Sequence, residues 1–293
     1  DDITASFSTA DRWVLTRLAD VIANVDRLMD GYLFGEAGRQ IYDFLWNDFA
    51  DWYVEIAKVQ LNAGGAQAWT TLYVLNGVLD HTLRLLHPFI PFVTEETWQQ
   101  LRAAAVESGL AISPPEGWAD ALIIADWPRP ILNDAGASAD FELLRDLVRR
   151  IRNARAEQGV EPSRFIPALI AAGDKLDYLE SQRLILAALA RLDNTELTIS
   201  PTATPPAQAV TLALGPITCY LPLAGMVDLS AERARLEKED AELSKQIERL
   251  AGLLKSPFAQ KAPAAVVQKE REKLTGLEAG QREIRDRLNA LDG

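Results

Sequence analysis

The chain has 293 residues, 48% hydrophobic and 25% charged, with a net charge of −12. That composition is globular and long enough for roughly two or three domains, which excludes disordered and fibrous classes. It also excludes a protein that coats nucleic acid non-specifically, since such binding needs an excess of Lys and Arg to neutralise phosphates. The acidity is uneven: −11 over residues 1–134, −2 over 135–228 and +1 over 229–293. If the chain holds a polyanion, its middle and end are better placed to do so. No run approaches the roughly 20 apolar residues of a membrane span, and the first residues are acidic where a signal peptide would be basic. The single cysteine, Cys219, has no partner for an internal disulfide, and a reducing, cytoplasmic setting fits.

In chain order, the first segment reads as a helical bundle. Ser8 caps a helix with Asp11 at its third position, and Val14, Leu18, Val21, Ile22, Val25, Leu28 and Met29 recur every three or four residues. A second helix carries Phe34, Ile41, Leu45, Phe49, Trp52, Tyr53 and Ile56 on one broad stripe until the glycines of NAGGA stop it. A third runs from about Ala66 to Leu86, where His87-Pro88 ends it. Thr94 caps a fourth, with Glu95 and Glu96 in its first turn. After a loop around Ser113 to Gly117, ALIIADWPRP predicts one short strand, and NDAGASAD a domain linker.

From Phe141 the pattern becomes helix to Glu157, strand Phe165–Ala171, helix Leu176–Leu192, then the strand-like runs ELTIS, QAVTLAL and ITCYLPL, a small α+β unit. The last segment has heptads: Leu229, Leu236, Leu243 and Leu250 form one column, and Val267, Leu274 and Leu288 another. Between them SPFAQKAP holds two prolines that break the helix, so an antiparallel coiled-coil hairpin is expected, with arms of about 40 Å. The predicted fold class is mainly α: a helical bundle (1–134), a small α+β domain (135–228) and the hairpin (229–293).

Catalytic readings fare poorly. With only His81, His87 and Cys219, no multi-histidine or multi-cysteine metal site can be assembled, and no phosphate-cradling glycine loop occurs. Trp46, Asn47, Asp48, Asp51, Trp52, Tyr53 and Glu55 mix aromatics with carboxylates as sugar hydrolases do, but at helical spacing they read more simply as core and solvated face. The arginines are more informative. Arg145, Arg149, Arg152 and Arg155 line one helix edge, where they either follow a phosphate backbone or pair with Glu142, Asp146 and Glu157. Lys255, Lys261, Lys269, Arg271 and Lys273 concentrate charge near the hairpin's turn.

WVLTRL, YLFGEAGRQIYDFLWNDFADWYVEIAK, LLHPFIPFVTEETWQQL and Trp127-Pro128 together resemble the anticodon-binding helical domain of class I aminoacyl-tRNA synthetases for valine, isoleucine and leucine. The resemblance continues through VRRIRNARAEQGVEPS and LLKSPFAQKAPAAVVQKEREKL, a combination that looks like the valine enzymes, and covers nearly the whole chain. It implies that the first domain grips the anticodon stem-loop and that the hairpin packs on the elbow of tRNA(Val). The candidate RNA-binding residues are then Arg12, Arg17, Phe34 and Arg39 at the anticodon, Arg149, Arg152 and Arg155 in the middle domain, and Arg249, Lys255, Lys261, Lys269, Arg271 and Lys273 on the hairpin.

Neither the two ATP-site signatures of class I synthetases nor an editing domain is legible, so no catalytic or metal residue is expected in this chain. ATP and Mg would serve a parent enzyme whose catalytic and editing domains are the chain's other partners. The chain reads as though cut from a longer polypeptide, and as a monomer. The competing expectation is a protein-interaction adaptor whose coiled coil dimerises, because a heptad seam does not distinguish a hairpin from an intermolecular pair.

Overall fold

A computed structural model describes residues 3–108, 117–223, 229–256 and 264–291. The chain divides into two compact units. One comprises residues 1–154, 163–204 and 211–220, the other 155–162, 205–210 and 221–293.

The larger unit begins with α1 (Thr9–Asp30), which starts at the predicted cap: Asp11 N–H donates to Ser8 Oγ (3.2 Å) and Ser8 N–H to Asp11 Oδ2 (2.8 Å). Its apolar stripe is buried from Val14 through Leu28. The chain returns through α2 (Phe34–Asp43), a π-helical stretch (Phe44–Tyr53) and α3 (Val54–Ala63). Here the expected single stripe is corrected. Phe34 is exposed, while Phe44 with Phe49, and Asp48 with Tyr53, are buried in pairs five residues apart. Five residues turn an α-helix by about 140°, but i→i+5 bonding brings such pairs onto one side. Tyr53 Oη then donates to Asp11 Oδ1 (2.5 Å), so the capping carboxylate of α1 also ties down this stretch.

Gly64 (φ +73°) and Gly65 (φ +70°) make the left-handed turn into α4 (Gly65–Leu86). The next helix, α5, spans Pro91–Glu107 and places Pro91, not Thr94, in its first turn. Thr94 lies inside, its hydroxyl donating back to Ile90 O (3.0 Å). A buried ion pair links the last turns of α4. Arg84 Nε lies 3.0 Å from Asp80 Oδ2, and Trp98 Nε1 donates to Asp80 Oδ1 (2.6 Å).

The expected strand ALIIADWPRP is not one. Leu122–Ile124 form a single 3-10 turn with Leu122 packed against Leu83 and Trp98, held by Glu95 Oε2 accepting from Leu122 N–H (2.8 Å). No strand lies alongside among the described residues. The expected linker is also a correction, for Ala135 already begins α6 (Ala135–Glu157). Asp134 acts as its cap, accepting from Ala137 N–H (2.9 Å) while Arg12 Nη1 binds its other oxygen (3.0 Å).

A four-stranded mixed sheet follows: β1 (Ile166–Ala171), then α7 (Leu176–Ser181) and α8 (Arg183–Ala190), then β2 (Leu192–Ser200), β3 (Ala209–Leu214) and β4 (Ile217–Pro222), in the order β2-β1-β4-β3. β1 runs parallel to β2 and antiparallel to β4. The single helix expected over 176–192 is two, broken at Gln182, and α8 ends with Arg191 in the left-handed region. Burial pushes the Cys219 thiol up to about 12.

The smaller unit is dominated by α9 (Leu229–Lys255) and α10 (Ala264–Leu291). They pair antiparallel, because Asp240 meets Arg285 (3.0 Å) and Ser244 meets Gln281 (2.7 Å), pairings that run in opposite directions along the two helices. Leu236, Leu250, Val267 and Ile284 form the buried seam. The break expected at SPFAQKAP lies outside the described residues apart from Ser256, as does Lys261.

Candidate nucleic-acid interface

Three surfaces carry the sequence-predicted residues. The first is built on Trp52, which the π-helical stretch buries to 6% exposure. Arginines three and four apart on α6 form a column above it: the guanidinium carbons of Arg145, Arg149 and Arg152 lie 5.8, 5.4 and 5.3 Å from its ring centre. Arg145 also sits 5.4 Å over Trp13 and is doubly paired, with Asp48 (2.8 Å) and Glu142 (2.7 Å). Asp48 accepts from Arg17 Nε as well (3.1 Å), so one buried carboxylate joins α1 to α6.

Arg149 is exposed, with a long contact to Asp146 (3.4 Å). Arg152 donates to Leu189 O (2.9 Å). Its pKa is lowered, first by desolvation and also by the neighbouring Arg191 charge, while Glu55 and Asp51 oppose the shift. On this helix Arg145 is held in structural ion pairs, whereas Arg149 faces solvent. Arg155 is buried, its guanidinium donating to Glu161 O (3.2 Å).

The second surface is the end of the bundle where α1 passes into α2 and α4 into α5. Gly38 of α2 packs against the Phe89 ring that follows α4, at a distance that would leave an added Cβ in ordinary contact (3.5 Å) with two ring carbons. Around them Phe92 (90%) and Tyr32 (80%) are exposed aromatics, with Phe34 half exposed and meeting Tyr32 edge-on at 6.1 Å. Arg39 is exposed on α2, and among the described residues its ion pair is a long 3.8 Å contact with Asp43.

The four residues expected at the anticodon do not converge. Arg17 pairs with Asp48, fourteen residues along from Phe34 and so about 20 Å up the helix. Arg12 is held by Asp134, Thr4 O (2.6 Å) and Phe7 O (3.3 Å). Tyr32 and Phe92 escaped the sequence reading, although an aromatic beside glycine or proline in a turn was the available signal.

The third surface is the hairpin. Arg249, Lys255, Lys269, Arg271 and Lys273 are all exposed. Cations near one end of an apolar-seamed rod can meet phosphates without disturbing the seam.

Among the described residues, no three His, Cys, Asp or Glu side chains come together to hold a metal ion. No helix among those residues is long and apolar enough to cross a membrane.

Residues 11–170 match the family "Anticodon-binding domain of tRNA ligase", and residues 228–292 match "Valyl tRNA synthetase tRNA binding arm". The chain is 40% identical over 295 residues to a valine–tRNA ligase of Bacillus cereus, covering 99% of this chain and 32% of that protein. It is 39% identical over 280 residues to that of Geobacter sulfurreducens (94% and 30%) and 37% identical over 299 residues to that of Bacillus subtilis (100% and 32%). The chain thus spans about a third of the length of the curated relatives it matches. With more than half of its length, from the capped first helix to the first strand, inside one family match, the chain belongs to the anticodon-binding family of tRNA ligases.

Proposed function

We propose that this chain is the tRNA-binding region of a valine–tRNA ligase, gripping the anticodon stem-loop with the segment 1–134 and the tRNA elbow with the hairpin 229–293. It positions the acceptor end for ATP-dependent aminoacylation in a catalytic domain carried elsewhere in the enzyme, in the cytoplasm. The observation that carries the reading is the pairing of two family matches in one chain, an anticodon-binding domain followed by a tRNA-binding arm.

The physical case is a division of labour. An acidic bundle recognises its loop by stacking and a few placed donors, for which Tyr32, Phe34, Phe92 and Arg39 are exposed. A cationic arm supplies the electrostatic part through Arg249, Lys255, Lys261, Lys269, Arg271 and Lys273, and the middle segment adds Arg149 and Arg152. Arms of about 40 Å let both contacts form on one tRNA, and the second then benefits from effective concentration. Arg12 and Arg155 serve the fold in this reading, and Arg17 sets the bundle's geometry through Asp48.

Fluorescence anisotropy with tRNA(Val), its anticodon variants and an unrelated tRNA tests the reading. Tightest binding to tRNA(Val), weakened by anticodon changes, is expected. Equal or absent binding to all of them refutes it.

A further inference from the structure

Glycine inside an α-helix is unfavourable, because it gives up the most backbone freedom on folding and adds no side chain to the packing. The arms of the hairpin, 27 and 28 residues long, nevertheless contain Gly252 on α9 and Gly276 and Gly280 on α10. Two static reasons hold a glycine in place, a left-handed backbone and a close approach by another group. Neither applies to Gly276 or Gly280. Both sit in helical backbone, and an added Cβ at either would meet no neighbouring atom within 4 Å.

The chain around these two positions is weak in other ways. Thr275 Oγ1 donates back to Arg271 O (3.1 Å), a contact that competes with the helix ladder and bends helices. The seam itself carries a polar pair at this height, Gln281 Nε2 donating to Ser244 Oγ (2.7 Å) where a heptad column would place two hydrophobes. Between Leu236 and Leu250 on α9, and between Val267 and Ile284 on α10, the seam residues Leu243, Ile247, Leu274 and Leu277 are only partly buried. In the register set by Asp240 with Arg285 and Ser244 with Gln281, Gly252 of α9 lies about one turn nearer the tip than Gly276. All of these features therefore fall within a few turns of one another, with a buried seam on either side.

Sharp bends in helices arise at a few identifiable causes, glycine beside a small hydroxyl residue and an interrupted ladder among them. We propose that the hairpin has a hinge at Thr275-Gly276 and Gly280, dividing it into a base closed by Leu236 and Ile284 and a cation-bearing tip closed by Leu250 and Val267. Lys269 and Arg271 lie about 10–15 Å beyond the hinge's centre, so a bend of about 20° moves them by roughly 4–5 Å. The hinge adjusts where the tip's charges sit while both ends of the seam stay packed. It does not depend on the tRNA-binding reading, and its test uses no RNA.

Two measurements on the full chain test it. Spin labels on Gln268→Cys and Asp286→Cys, both exposed on α10 and about 27 Å apart along a straight helix, report the bend as a distance distribution. Cys219 is buried and stays unlabelled. A broad distribution reaching below the straight-helix distance is expected, narrowing to one peak when Gly276→Ala and Gly280→Ala are added. A single narrow peak without those substitutions, or equal breadth with them, overturns the hinge.

Amide hydrogen exchange, read without labels, gives the second check. Protection over residues 275–281 should rise about tenfold or more in the Gly276→Ala, Gly280→Ala variant, since alanine favours the helix at both positions. Thr275→Ala alone should raise it in the same direction by less. Unchanged protection in the double variant also overturns the proposal.

Discussion

Asp48→Ala should be among the most destabilising single substitutions in the helical bundle. The Asp48 side chain is 9% exposed and accepts from two guanidiniums, Arg145 at 2.8 Å and Arg17 at 3.1 Å. Removing it leaves Arg145, itself 13% exposed and wedged over Trp13 and Trp52, with only Glu142. Breaking one side of a buried pair costs about 3–5 kcal/mol. Arg17 is 38% exposed and can turn to water, so the lower end, about 3 kcal/mol, is expected.

Every tryptophan lies between Trp13 and Trp127, inside the larger unit, so intrinsic fluorescence during urea unfolding follows that unit alone. At a slope of roughly 2–3 kcal/mol per molar urea, the midpoint should fall by about 1 to 1.5 M. Two comparisons isolate the cause. Asp43→Ala, which removes a 3.8 Å pair on a solvated helix face, should move the midpoint little. Asp48→Leu combined with Arg145→Leu should recover much of the loss, because an apolar pair carries no stranded charge. A midpoint for Asp48→Ala within about 0.3 M of wild type, or no recovery in the double variant, would refute the argument.

Two further outcomes follow from the same structure. Burial alone would raise the Asp80 carboxyl, but hydrogen bonds from His81 and Trp98 and the Arg84 charge hold it below its ordinary value. Such a group stabilises the fold above its unfolded pKa of about 4, and this contribution is lost as pH falls through the folded value. Asp80→Asn should therefore be less stable at pH 7, with the gap to wild type narrowing below about pH 4. A gap constant down to pH 3 would contradict this. On the hairpin, Arg249→Ala with Lys273→Ala should weaken tRNA binding and flatten the slope of log affinity against log salt by up to about two units; an unchanged slope removes the hairpin's phosphate contacts.

The local signals in this sequence were strong where one element sufficed to define them. Ser8 with Asp11, the Gly64-Gly65 stop and the heptads of Leu236 and Leu250 all act within a few turns of chain, so the start of α1, the end of α3 and the coiled-coil seam were legible directly. The apolar stripe of α1 likewise announced a buried face, because burying it needs only some partner. Where that partner's identity mattered, sequence was insufficient. ALIIADW has the composition of a strand, yet with no neighbouring strand among the described residues to pair its backbone it closes on Glu95 and Leu83 as a turn.

NDAGASAD has the composition of a linker, but Arg12 and Thr16, more than a hundred residues earlier, fix Asp134 as the cap of α6. The π-helical stretch is also a tertiary decision, made where Asp11, Arg17 and Arg145 each claim a side chain from it. The arginines were visible as a class from their spacing alone. Which ones hold the fold and which face solvent depended on Asp48, Trp52 and Glu161, partners that only the folded chain brings within hydrogen-bonding or stacking distance.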